Sequence, residues 1–217
     1  MLSSCSSRPT GKRQGASSLR YPPDQKAKAR KALVQAGARS LKTSGFNGIG
    51  VDGLAASAGV TSGAFYSNFP TKEAMLEAVI DAYVGEPFLS DTDSVTVAEG
   101  RSLLESLVED YLSLRHCADA AEGCVMPALS ADVSRAKPSV REAFERKMNA
   151  LAKRIASVLD GEPSDRERRS WSIVCLMVGG IAVSRAMTDD GASSAAAIDA
   201  ARRTAMSLID TDWSRRR

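Results

Sequence analysis

From residue 24 to residue 44 the apolar positions Ala29, Ala32, Leu33 and Ala36 recur at three- and four-residue spacings. They stand among Lys26, Lys28, Arg30 and Lys31, which predicts an amphipathic, basic helix. Pro22-Pro23-Asp24 marks its start, with Asp24 as the cap, and Gly45-Phe46-Asn47-Gly48 breaks it. Phe46 is expected to plug a small core. Residues 54–58 are apolar and alanine-rich and stop at Gly59, the residue type best able to turn left-handed and end a helix. After Val60, the Thr61 hydroxyl can cap a second short helix over residues 62–68. Phe65 and Phe69, four apart, form its buried side, leaving Tyr66, Ser67 and Asn68 to face outward. Pro70 closes the segment and Thr71 caps a helix over residues 71–84, with Met75, Ala78, Val79, Ala82 and Tyr83 inward. Gly85-Glu86-Pro87 ends or bends it.

Beyond residue 85 no sustained period-two alternation occurs, so the second half reads as helices throughout. A helix over 102–114 would bury Leu103, Leu104, Leu107, Val108, Tyr111 and Leu112. A break at 120–123 precedes a stretch in which Pro127 lies in a first turn or kinks a helix. Ser139 with Glu142 reads as a capping box opening the longest amphipathic stripe: Val140, Phe144, Met148, Leu151, Ile155 and Val158. Ser164 with Glu167 reads as a second box, ahead of a run over 171–183 that is apolar on every side. Such a helix needs cover on several faces, and Gly179-Gly180 would let a neighbour approach closely. The last helix, over 193–210, offers Ala197, Ala201, Ala205 and Leu208 as a small-residue face. Two such helices from each of two subunits would build a four-helix interface, while one large helical core is the alternative.

Charge adds what periodicity does not. The formal net charge is +3, yet residues 1–76 hold eleven Lys/Arg against three Asp/Glu, and the remainder is acidic. A positive field on the end with the two short helices suits a phosphate-bearing partner. Residues 1–23 are rich in Ser, Gly and basic residues and are expected to be disordered. Arg8, Lys12, Arg13 and Arg20 there offer either a basic arm for the DNA backbone or a solubilising tail. Cys5, Cys117, Cys124 and Cys175 fit no metal or disulfide spacing, and His116 is the single histidine. Metal sites, cofactors and nucleophile–base pairs are therefore not expected, nor is a secretory or membrane-spanning segment, which places the chain in a cytoplasm.

Helix, glycine-bearing turn, short helix is the helix-turn-helix pattern, whose second helix enters the major groove by its N-terminal part. Here that part is Thr61, Ser62, Gly63 and Ala64, small enough for the backbone to approach base edges. Tyr66, Ser67, Asn68 and Lys72 are placed toward phosphates. The segment AGVTSGAFYSNFPTKEAML, with the basic helix KARKALVQAGARSL and the link SGFNGIGVDGLA upstream, resembles the TetR family of bacterial transcriptional repressors. The resemblance covers about residues 26–84. Gly50 stands where the family often has a hydroxyl residue, and Asn68 where it often has histidine.

The resemblance implies an all-α fold: a three-helix DNA-binding domain over 24–84 and a larger effector-binding and dimerisation domain over 85–217. It implies no enzyme, but a homodimer that leaves a palindromic operator in double-stranded DNA when a small effector binds. Tyr111, Met126, Trp171, Cys175 and Met177 are the candidate cavity lining. Sparse aromatics and few inward charges point to a small, largely apolar effector. A thiol-based regulator of oxidants or electrophiles, through Cys117 or Cys124, is the alternative on the same fold.

Overall fold

The computed structural model describes residues 23–86, 88–89, 96–187 and 191–210; the expected N-terminal arm up to residue 22, with Cys5, and Pro87 lie outside them, while Pro23 belongs to the first helix. The described residues form ten helices. These are α1 (Pro23–Ser44), α2 (Val51–Ser57), α3 (Ser62–Asn68), α4 (Lys72–Tyr83) and α5 (Val97–Tyr111), then α6 (Leu114–Ala118), α7 (Met126–Ser134), α8 (Pro138–Ser157), α9 (Pro163–Arg185) and α10 (Ala192–Ile209). The fold is all-α, with the helix-turn-helix domain at the N-terminal end and a larger helical region after it.

Two hydrophobic clusters divide the packing. The smaller holds Leu33, Leu54, Ala55, Phe65, Phe69 and Met75, drawn from α1 to α4. The larger runs through α5, α7, α8, α9 and α10, and takes Ala38 and Leu41 from α1 and Leu76, Val79 and Ile80 from α4. α1 and α4 therefore belong to both, one end or face to each. Phe46, expected in the small core, instead packs against the larger cluster, where its backbone N–H donates to the Asp132 carboxylate of α7 at 2.7 Å. On α4 the buried side is Met75, Leu76, Val79 and Ile80, while Ala82 is exposed. The helix is gripped from two sides, so its buried face turns toward Leu76 and Ile80.

Helix starts follow proline rather than the expected capping boxes. Pro138 and Pro163 open α8 and α9 with no side-chain cap, which places Ser139 and Ser164 inside the first turn. A proline already fixed at φ near −65° begins the helix one residue before the serine could cap it. A capping box does form on α5: the Glu99 carboxylate accepts from the Thr96 N–H at 2.8 Å, and the Thr96 hydroxyl accepts from the Glu99 N–H at 3.3 Å. That box starts α5 at Val97 rather than 102, and turns Leu103 outward at 43% exposure.

α9 and α10 lie against one another along their length. A Cβ on Gly180 would stand 2.9 Å from Ala201 Cβ and from Leu112 Cδ2, so this glycine permits the close approach. Ala201, Ala205 and Leu208 are thus buried within the chain, and the small-residue face of the last helix serves the pairing with α9 rather than a second subunit. Buried Arg169 fastens the far end of the pair. It donates to the Asp165 carboxylate at 2.8 Å, to the Leu208 carbonyl at 2.8 Å, and to the Asp160 carbonyl. Three acceptors around one guanidinium offset the cost of its burial.

Candidate functional site

The reading end is assembled from local rules. α2 stops in a Schellman arrangement: Gly59 sits at φ +67°, its N–H donates to the Ala56 carbonyl at 3.0 Å, and the Val60 N–H donates to the Ala55 carbonyl at 2.9 Å. One residue later the Thr61 hydroxyl accepts from the Ala64 N–H at 3.1 Å and caps α3. The Ser62 hydroxyl donates to the Asp52 carboxylate at 2.5 Å, which ties the start of α3 to α2. Phe65 and Phe69 are fully buried, with ring centroids 5.9 Å apart, and root α3 in the small core. Thr61, Gly63, Tyr66 and Ser67 are left exposed, Tyr66 at 59%, and Ser62 and Ala64 half-buried.

Three polar groups expected at phosphates have partners inside the chain. The Ser67 hydroxyl and the Asn68 amide both donate to the Ala64 carbonyl, at 2.9 and 2.8 Å. The Lys72 ammonium donates to the Phe46 carbonyl and stands 4.4 Å from the centre of the Phe46 ring. Burial pulls its pKa below the ordinary lysine value. Lys72 therefore holds the α1–α2 link against the start of α4. Arg30 is a residue whose part was not legible in sequence. It donates to the Asn68 carbonyl at 3.1 Å and covers the Phe69 ring at 4.3 Å, closing the C-terminal end of α3 with a cation.

Behind this end lies a cavity of about 660 Å³. Of the residues suggested by sequence, Tyr111, Met126 and Met177 line it. Trp171 and Cys175 are not among its walls: Trp171 is half-buried and Cys175 is exposed. Val174 and Met177, three apart, occupy the inward stripe, and no sequence pattern on this evenly apolar helix told the stripes apart. Walls that sequence did not suggest come from α1: Gln35, Ala38, Arg39 and Lys42. The segment after α6 is latched to that helix, with Lys42 donating to the Gly123 carbonyl at 3.1 Å and Arg39 pairing with Glu122 at 3.5 Å.

His116 holds the cavity's polar corner. Its Nδ1 must donate to the Tyr111 carbonyl, 2.7 Å away, so Nε2 is the acceptor for the Cys124 N–H at 2.8 Å. Burial is the main cause that lowers its pKa, keeping the ring neutral. Burial also pushes the Cys124 thiol up. Among the described residues no three His, Cys, Asp or Glu stand together to hold a metal ion, and no helix is long and apolar enough to cross a membrane.

Two short helices joined by a left-handed glycine and rooted by paired phenylalanines define a helix-turn-helix DNA-binding domain. Residues 33–79 match the profile of the bacterial regulatory proteins of the tetR family. No curated protein matches the sequence. Solved structures similar to it include the reduced form of NemR from E. coli, at 20% identity and a TM-score of 0.62, covering 84% of this chain and 97% of that one. A TetR-family regulator from Cytophaga hutchinsonii gives 18% identity and 0.63, covering 85% and 94%. A TetR regulator from Legionella pneumophila gives 16% identity and 0.65, covering 83% and 97%. These likenesses speak for the fold.

Proposed function

We propose that the chain is a TetR-family transcriptional regulator, a repressor that binds a pseudo-palindromic operator as a homodimer through α3 and is released by a small, largely apolar molecule. In this reading residues 24–84 are the DNA-reading unit, 85–217 bind the effector and dimerise, and the protein works in the cytoplasm. The observation that carries it is the shared wall. The cavity is lined partly by α1, and α1 is the helix on which α2 and α3 pack. A molecule that prefers one position of α1 shifts the reading helix by its differential affinity for the two positions.

Gly63 supports the DNA-facing role of α3. A Cβ there would meet only the Thr61 hydroxyl oxygen, at 3.7 Å, so nothing inside the chain asks for glycine. Glycine inside a helix costs about 0.5–1 kcal/mol relative to alanine, and the requirement then lies outside, where a backbone must come close to a base edge. Thr61, Ser62 and Ala64 are the other residues assigned to base readout, and Tyr66 to phosphate positioning. For the dimer, the outward stripes of α9 and α10 are the support: Cys175, Gly179 and Val183 on one, Ala196, Ala200 and Thr204 on the other. Val183 is 51% exposed although it ends the apolar run over residues 171–183.

Thiol sensing has less support. A raised Cys124 pKa lowers the thiolate fraction on which such chemistry depends. The test is selection of bound duplexes from a random pool, followed by footprinting. Two half-sites about one helical turn (~34 Å) or a multiple apart are expected. Protection of one isolated half-site by a monomer contradicts the reading.

A further inference from the structure

The start of α3 carries two hydroxyls in succession, and the chain gives them opposite hydrogen-bonding character. A hydroxyl has one hydrogen to donate and two lone pairs with which to accept. The Thr61 oxygen accepts from the Ala64 N–H at 3.1 Å, and among the described residues its own hydrogen goes to none. Ser62 is the reverse. Its hydroxyl donates to the Asp52 carboxylate at 2.5 Å, and a carboxylate can only accept. The single Ser62 hydrogen is thereby committed, and lone pairs are what this side chain offers outward. Asp52 stands in the first turn of α2, which packs against α3, and is exposed, while Ser62 is half-buried. The pair therefore lies at the surface beside the reading helix. Further along α3 the Ser67 hydroxyl and the Asn68 amide spend their hydrogens on the Ala64 carbonyl.

Ser62 and Asp52 together make an acceptor pair that also carries negative charge. In the major groove guanine offers N7 and O6 and thymine offers O4, all of them acceptors. Adenine N6 and cytosine N4 are the amines that donate there. Guanine or thymine against the pair would set lone pair against lone pair, with the Asp52 carboxylate adding repulsion. An amine would instead complete a hydrogen bond to the Ser62 oxygen.

We propose that Asp52 fixes Ser62 as an acceptor, and that Ser62 thereby reads the exocyclic amine of one adenine or cytosine in the operator. The inference rests on the reading above, in which α3 enters the major groove, and adds which base edge it takes. Asp52 is a positioning residue, acting through the direction in which Ser62 holds its hydrogen. A serine without such a partner has no preference, since its hydroxyl can donate or accept.

Selection of duplexes from a random pool by wild type, Ser62→Ala and Asp52→Ala tests the proposal, with melting temperatures taken alongside. The base pair whose preference disappears in Ser62→Ala marks the contact. Asp52→Ala returns the hydrogen to Ser62 and is expected to tolerate guanine or thymine in place of the amine-bearing base there. In the wild-type duplex that base is then replaced: adenine by 2-aminopurine, whose amine lies in the minor groove, or cytosine by 2-pyrimidinone, which has none. Wild type is expected to lose about five- to tenfold in affinity, the worth of one neutral hydrogen bond. Ser62→Ala is expected to bind the modified and unmodified duplexes equally. The base replacement leaves the protein untouched, so it decides the matter even where a variant is less stable. Undiminished wild-type binding of the modified duplex, a site read alike by wild type and Ser62→Ala, or an unchanged preference in Asp52→Ala each overturns the inference and leaves operator binding standing. Enrichment of no duplex by wild type overturns the operator reading, and this inference with it.

Discussion

The two hydrophobic clusters solve different problems with the same kind of helix. The small one is filled: Phe65, Phe69, Leu33, Leu54 and Met75 leave a rigid platform that presents α3. The larger one is not, and leaves a cavity of about 660 Å³. Rigid presentation suits a surface that must match DNA without rearranging. An under-filled core suits a ligand, because filling it changes the balance of packing between helices that already touch. α1 and α4 stand in both clusters, so each can carry such a change to the platform. Further ties bind the two regions: Phe46 to Asp132 of α7, and Glu73 of α4 to Lys137, 3.0 Å away.

The contrast makes the largest expected effect a loss on the filled side. Phe65→Ala should cost about 3–5 kcal/mol and abolish operator binding, because so small a core has little else to root α3. Urea unfolding followed by circular dichroism, with a gel shift, measures both. A cost below about 1 kcal/mol would mean the platform is looser than described.

Next is Gly180→Leu, which drives a side chain into Ala201 and Leu112. A cost of about 1–3 kcal/mol is expected from strain within one subunit, read as a lower melting temperature. If the variant keeps its melting temperature and only dissociates, the glycine serves the subunit interface and the α9–α10 pairing described above is wrong.

Thr61→Ala removes the α3 cap and should cost about 1 kcal/mol, with weaker operator binding in proportion. Equal stability of wild type and variant in urea would show that α3 does not depend on its cap.

The smallest effect concerns pH on the ligand side. His116 has a folded pKa below the ordinary 6.5, so as pH falls the unfolded chain takes up the proton first. Its contribution to stability is complete above about 6.5 and is lost as pH falls through the folded value. The urea midpoint should therefore drop between pH 7.5 and 5.5, and drop less in His116→Gln. Parallel slopes in the two proteins would place the titration elsewhere.

The reading end was legible in sequence because its rules are local. Gly59, Thr61 and Thr71 act on backbone within a few residues, and the i, i+4 spacing of Phe65 and Phe69 identifies their face. The cavity was half legible. Tyr111, Met126 and Met177 could be named as apolar helical positions, but which side of α9 faces inward depends on α10 and on Gly180, far apart in sequence. The walls from α1 gave no signal, since Arg39 and Lys42 look like any solvated basic residues until Glu122 and the Gly123 carbonyl are brought against them. Phe46 was misplaced for a similar reason: its destination is set by Asp132, 86 residues away.

The central claim is that the exposed start of α3 touches DNA while the rest of the platform only holds it there. Gly63→Leu tests this with least ambiguity, because a side chain at this position meets no wall inside the protein and a helix favours leucine over glycine. Fluorescence anisotropy of wild type and Gly63→Leu on the selected duplex, with melting temperatures taken alongside, is the measurement. The account predicts an unchanged or higher melting temperature together with operator affinity lowered by about tenfold or more, the size of one lost base contact. Equal operator affinity in the two proteins, both fully folded, would contradict it.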